Sequence, residues 1–126
     1  MKTAVTTGLP ELGLPLEWAT ISNGHLYTTV VAVTPEGTLE TGDPLAQMDL
    51  TFANLKKVCE AAGGSLADLN MVQVFLTDIK YSAQLNDVWG KYFEAPYPNR
   101  ATIVVSGMVA PGLVVEVCAQ GHIEQN

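Results

Sequence analysis

The sequence predicts an α+β fold, a sandwich in which a mixed β-sheet carries two helices packed on one face. Three observations support this. Short β-branched runs alternate with two long stretches of helical periodicity. An Asn-Gly pair sits between the first two such runs, where a hairpin needs left-handed backbone. A proline-rich loop separates the second helical stretch from two further strand-like runs.

Residues 3–22 hold short apolar pieces broken by Gly8, Pro10, Gly13 and Pro15, of which residues 16–21 alternate as a strand. Ser22-Asn23-Gly24-His25 supplies the turn. Residues 26–33, rich in Thr and Val, form the partner strand, stopped by Thr34-Pro35-Glu36-Gly37. Asp43-Pro44 starts a helix, with a side-chain cap followed by proline at the first helical position. Leu45, Met48, Phe52, Leu55, Cys59 and Ala62 recur at spacings of three and four along it, and Gly63-Gly64 ends it. After a turn over residues 65–68, residues 69–77 read as a strand apolar on both faces, which places it in a sheet interior or against a subunit interface. A second helix is expected over about 81–93, with Tyr81, Leu85, Val88, Trp89 and Tyr92 on one face. Pro96 and Pro98 follow it, then a strand over 101–105, a turn over 107–112 and a last strand over 113–123.

The 126 residues fit one domain, 1–126, with neither repeat nor linker. Apolar residues make up 48% and charged residues 15%, a balance that favours self-association. A net charge of -7 and scattered lysines make nucleic acid an improbable partner, because affinity for phosphate backbones comes largely from Lys and Arg. The apolar runs are too short to span a bilayer, and residues 1–6 lack the apolar stretch of a secretory leader. Cys59 and Cys118 sit in apolar patterns and are expected as buried free thiols in a reducing compartment. His25 and His122 lack ligand spacing. A cytoplasmic, metal-free protein is the expectation.

Four residues are candidates for chemistry. Arg100 is the only arginine, placed where the proline-rich loop enters a strand, and its planar fork of donors suits bidentate capture of a carboxylate. Glu116 interrupts an otherwise apolar strand; it is either a paired or perturbed acid–base group or a solvent-facing residue on the polar side. Asn86 lies one step from the apolar stripe of the second helix. Thr102, two residues after Arg100, shares its side of the strand. A glycine-rich phosphate loop, a Ser-His-Asp or Cys-His arrangement and a lysine placed for Schiff-base chemistry are all absent from the pattern. An enzyme built from one cation, one carboxylate and a water is limited to an already activated substrate.

In their order and spacing, several segments resemble the reactive-intermediate deaminase (RidA/YjgF, endoribonuclease L-PSP-like) family. They are Gln47-x6-Asn54-Leu55 leading into Glu60-Ala61-Ala62-Gly63-Gly64, Asp68-Leu69-x5-Phe75-Leu76-Thr77-Asp78, Leu85-Asn86-x6-Phe93, Pro98-x-Arg100-Ala101 and the closing Val115-Glu116-Val117. The resemblance implies a chorismate-mutase-like fold assembled as a homotrimer with three inter-subunit clefts. It implies hydrolysis of enamine/imine intermediates of the 2-aminoacrylate type to a 2-keto acid and ammonia, without a cofactor. By the same resemblance Arg100 grips the substrate carboxylate, Glu116 positions the attacking water and Asn86 faces the cleft.

The chain also departs from the family. The position of a common cleft tyrosine is Leu16, a usual Ser-Gly-Gln is replaced by Val30-Val31-Ala32, and a frequent cysteine is Thr102. Leu16 and Val31 are thus candidate substrate-binding residues of a more apolar wall, and Thr102 a candidate substrate-binding residue beside Arg100. Two alternatives stand beside the 2-aminoacrylate reading. One is a deaminase specialised for another imine, such as an aminomuconate-like enamine; the other is a non-catalytic trimeric module that binds small carboxylates.

Overall fold

A computed structural model, which describes residues 1–124, contains a six-stranded sheet with strand order β1-β2-β3-β6-β4-β5. The strands are β1 (Thr3–Ala4), β2 (Ala19–Ser22), β3 (His25–Val30), β4 (Leu69–Leu76), β5 (Asn99–Val104) and β6 (Val115–His122). The helices are α1 (Pro44–Ala61) and α2 (Ser82–Tyr92). All neighbouring pairs are antiparallel except β4–β5, so the sheet is mixed as expected.

The β2–β3 hairpin turns at Asn23 and Gly24, with φ of 50° and 80°. Positive φ at both central positions matches the twist of the flanking strands, which is why Asn-Gly works there. β2 is shorter than the sequence pattern predicts, beginning at Ala19. Residues 15–18 run as loop, with the Trp18 indole N–H donating to the Pro10 carbonyl at 2.9 Å. β3 ends at Val30, and Val33 instead forms an isolated bridge to Leu39.

α1 starts as its sequence dictates: the Asp43 carboxylate accepts the Leu45 N–H at 3.1 Å and Pro44 takes the first turn. At its other end Gly63 adopts φ of 95°. The Gly64 N–H reaches the Cys59 carbonyl and the Gly63 N–H the Glu60 carbonyl, the paired bonds of a Schellman motif. Met48, Phe52, Leu55 and Cys59 are fully buried, whereas Leu45, predicted on the same stripe, is exposed at the helix start.

α1 lies over β3 and β6, and α2 packs beside α1. Beneath them Leu26 and Val30 of β3, Val115 and Val117 of β6, and Val72, Val74 and Leu76 of β4 form the apolar face of the sheet. On the other face β6 presents Glu116 and Cys118, and β4 presents Met71, Gln73 and Phe75, all half-buried. Cys118 therefore corrects an expectation: it is a free thiol but only half-buried, because its register partner is Gln73 on the sheet face away from the helices.

β4, α2 and β5 form a crossover unit with parallel strands, Val72 level with Arg100 and Val74 with Thr102. One side of β5 pairs with β4, and Ile103 and Val104 are exposed. No helix among the described residues is long and apolar enough to cross a membrane.

Candidate active site

Arg100 is the second residue of β5. Its register with Val72 directs its side chain to the helix-bearing face of the sheet, toward α2. There an Nη atom donates to Asn86 Oδ1 at 2.9 Å, and the guanidinium carbon lies 4.7 Å from the centroid of the Trp89 ring. Asn86 and Trp89 are three residues apart on α2, a spacing that places both side chains on one helical face. Arg100 remains exposed. Among the described residues the one ion pair joins Lys91 to Asp49 at 3.5 Å, so Arg100 carries no carboxylate partner in a chain of thirteen acidic residues. One of the guanidinium's five N–H donors is engaged by Asn86, and among the described residues no acid competes for the rest.

Thr102 follows on the same face of β5 and is exposed. Glu116 is placed differently. It pairs with Phe75 on β4, whereas Arg100 pairs with Val72, and residues 72 and 75 point to opposite faces. The sheet therefore separates the candidate cation from the candidate carboxylate within one chain. Glu116 is half-buried, and its strand neighbours Val115 and Val117 are fully buried.

Leu16 lies in the loop before β2, exposed, on the rim of a recess of about 410 Å³ on the open sheet face. Tyr27, Thr29, Cys118 and Gln120 also line that recess, and Thr29 Oγ1 lies 3.3 Å from Cys118 Sγ. Val31 follows the Val30–Val117 pair directly, which sets it level with Glu116 at the end of β3, half-buried. The structure thus sorts the sequence candidates into two groups. Arg100, Asn86 and Thr102 belong to the β5–α2 side, and Glu116, Val31 and Leu16 to the open-face side.

Three further residues stand in the sequence only as core or motif positions. Trp89 was visible only as part of an apolar stripe, although its three-residue spacing from Asn86 was a usable signal. Gln47 and Asn54 are buried polar residues of α1, and each holds a segment of the open-face side. Gln47 Nε2 donates to the Gly112 carbonyl at 2.9 Å and its Oε1 accepts the Val114 N–H at 2.8 Å, fixing the chain as it enters β6 toward Glu116. Asn54 Nδ2 donates to the carbonyls of Val31 and Val33, both at 2.9 Å. Every buried side-chain polar atom among the described residues has a partner, which two such brackets make possible where the chain is irregular.

Burial raises the Cys59 thiol from its ordinary 9.0 to about 12, with Asp68 and Glu60 adding repulsion. It is inert packing rather than a nucleophile. Tyr92 is also raised to about 12, first by desolvation and then by donating to Asp49 Oδ1 at 3.0 Å. Neither group belongs to the two candidate halves. Among the described residues no cluster of His, Cys, Asp or Glu has the makings of a metal site.

A family model described as Endoribonuclease L-PSP matches residues 15–123. Among solved structures, RidA from the Antarctic bacterium Psychrobacter sp. is 34% identical, with a TM-score of 0.85 over 94% of this chain and 96% of that one. A Rid-family protein of unknown function from Yersinia pestis, YyfA, is 28% identical, with a TM-score of 0.90 over 98% and 100%. E. coli TdcF, solved with bound serine, is 25% identical, with a TM-score of 0.87 over 97% and 99%.

Proposed function

The chain belongs to the RidA/YjgF (endoribonuclease L-PSP) family, and from that premise we propose that it is a hydrolytic deaminase of enamine/imine intermediates of the 2-aminoacrylate type. The observation that carries the reading is Arg100: an exposed guanidinium with no acidic partner among the described residues, held by Asn86 and Trp89 with donors free for a planar carboxylate. Serine, the ligand in TdcF, is itself a small amino-acid carboxylate.

In this reading the substrate carboxylate seats on Arg100, with Thr102 beside it, and the imine carbon faces Glu116. The enamine first takes a proton at carbon to become the 2-imino acid. Glu116 accepts a proton from water as the oxygen bonds to the imine carbon, and the C=N electron pair moves to nitrogen. Protonated Glu116 then returns that proton to the nitrogen of the resulting carbinolamine. Its hydroxyl then loses a proton, the C–N bond breaks and ammonia leaves, yielding a 2-keto acid. Orientation by the carboxylate grip is the main contribution, because the electrophile is activated before it arrives. No step calls for a cofactor.

Since the sheet keeps Arg100 and Glu116 apart in one chain, the reading requires a cleft between copies, Arg100 from one and Glu116 from its neighbour. A homotrimer with three such clefts meets that requirement, and the half-buried open face, with Met71 and Phe75, supplies a surface for association. Leu16 and Val31 then form an apolar wall that accepts the substrate's side chain. RNA is disfavoured as substrate, since a net charge of -7 and a single arginine offer no track for phosphates.

The test follows consumption of freshly generated 2-iminopropanoate and 2-iminobutanoate, with semicarbazide trapping the imine that remains. Wild type is expected to accelerate hydrolysis of at least one, and Arg100→Ala to abolish the acceleration. Tight binding of 2-keto acids without turnover of either imine would replace the deaminase reading with a carboxylate-binding module.

A further inference from the structure

We propose that Trp89 is a positioning residue for Arg100, holding the guanidinium as a preformed carboxylate clamp; the inference rests on the deaminase reading's assignment of Arg100 to the substrate. Arg100 is exposed near the start of β5, a strand whose only described neighbour is β4, where a long side chain ordinarily samples many rotamers. Two contacts of different direction remove that freedom. Asn86 accepts an N–H at 2.9 Å, and Trp89 presents its ring to the guanidinium carbon at 4.7 Å. The first sets which edge of the fork points at α2; the second holds the guanidinium against the ring.

Trp89 is itself immobilised. Phe93 stacks on it with centroids 4.1 Å apart and planes 26° from parallel, and Phe52 of α1 meets it edge-on at 5.9 Å. Order therefore passes from the fully buried Phe52 through the indole to a solvent-exposed cation. The chemistry of the support matters as much as its rigidity. An aspartate or glutamate would hold Arg100 as well, but would neutralise it and compete with the substrate. An aromatic face attracts the cation through its quadrupole and leaves the full positive charge available to a carboxylate. In a chain with thirteen acidic residues, use of an indole here keeps the single arginine free.

The experiment titrates 2-oxobutanoate, a stable relative of the product, by calorimetry into wild type and into Trp89→Tyr, Trp89→Phe, Trp89→Leu, Arg100→Ala and the Trp89→Leu/Arg100→Ala double variant. Affinity is expected to fall in the order Trp, Tyr, Phe, Leu, by about 3- to 10-fold at Leu, following the strength of the ring's interaction with a cation. KM for the imine is expected to rise in the same order while kcat changes little, and Trp89→Leu is expected to have no further effect once Arg100 is alanine.

Tyr and Phe keep the stack on Phe93, so the graded series stands even if the Leu variant does not fold. Equal affinity across the series overturns the proposal. So does an equal loss from Trp89→Leu with and without Arg100, which would mark Trp89 as packing alone. Wild type and Arg100→Ala binding alike would remove the carboxylate site itself, and that outcome is read from Arg100→Ala before any Trp89 variant is considered.

Discussion

Take the variants Arg100→Ala and Glu116→Gln, each expected to abolish imine turnover, one by removing the carboxylate grip and the other the proton acceptor. Along β4 their register partners Val72 and Phe75 are three residues apart, and two strand spacings separate β5 from β6. At about 3.3 Å per residue and about 4.8 Å per strand, the two Cα positions stand roughly 14 Å apart with side chains on opposite faces. No rotamer change in one chain brings the groups onto one small substrate. A cleft shared by two copies does, and mixing the variants then has a computable outcome. When subunits reassociate at random in a closed ring, a cleft is intact if its Arg100 donor carries the Glu116 variant and its Glu116 donor carries the Arg100 variant, which happens in about one quarter of clefts. The assay is imine consumption by equimolar variants, unfolded and refolded together, against the two refolded separately. Recovery to about a quarter of wild-type activity is expected. Mixed oligomers confirmed by native mass spectrometry yet no more active than the separate variants would refute the shared cleft and the argument from sheet parity behind it.

Two further outcomes concern the scaffold. Gln47→Leu removes both hydrogen bonds to the segment entering β6 and leaves the Val114 N–H and Gly112 carbonyl without partners. The expected loss is about 2 to 4 kcal/mol, or roughly 10 °C in Tm for a chain of this size, read by denaturant and thermal melts; a loss well under 1 kcal/mol would mean that water replaces the bracket. The Cys59 thiol, raised to about 12 by burial, stays neutral in the folded chain while the unfolded thiol ionises near 9.0. Its contribution to stability is thus complete below about pH 9 and is lost as pH rises from there toward 12. The denaturation midpoint is expected to fall over that window less steeply in Cys59→Ala, and a disulfide reagent at pH 8 to modify Cys118 before Cys59.

The elements legible in the sequence are those whose signals are local. Asp43-Pro44 and Gly63-Gly64 bracket α1 because capping and left-handed backbone are decided by residues within one turn. Asn23-Gly24 marks its hairpin for the same reason. A short lead-in strand before the hairpin is expected but has no readable bounds, because the two residues of β1 that pair with Thr20 and Ile21 leave no periodicity. Leu45 was placed on the buried stripe because its spacing fits, but the stripe reaches the sheet only from Met48 onward. At the site, Arg100 stood out as the lone arginine and Glu116 as the lone charge in an apolar strand. That they face opposite ways was hidden, because the faces of two strands can be compared only after their pairing to β4 is known. The contact of Trp89 with Arg100 was hidden by the same kind of gap, since it depends on how the crossover returns α2 alongside β5.

The carboxylate grip proposed for Arg100 is short in sequence: Asn86, Trp89 and Arg100 fall within one β4-α2-β5 crossover. The opposite wall of the proposed cleft would be gathered from Leu16, Val31 and Glu116, scattered over a hundred positions, with Val31 and the chain entering β6 bracketed from α1. Mutation can therefore rework one wall while the other is inherited as a block. Diversification of substrates in such a protein would run through the dispersed wall, around a constant demand for a carboxylate. The apolar residues at Leu16 and Val31, beside an undisturbed Arg100, are the pattern that such a history would leave.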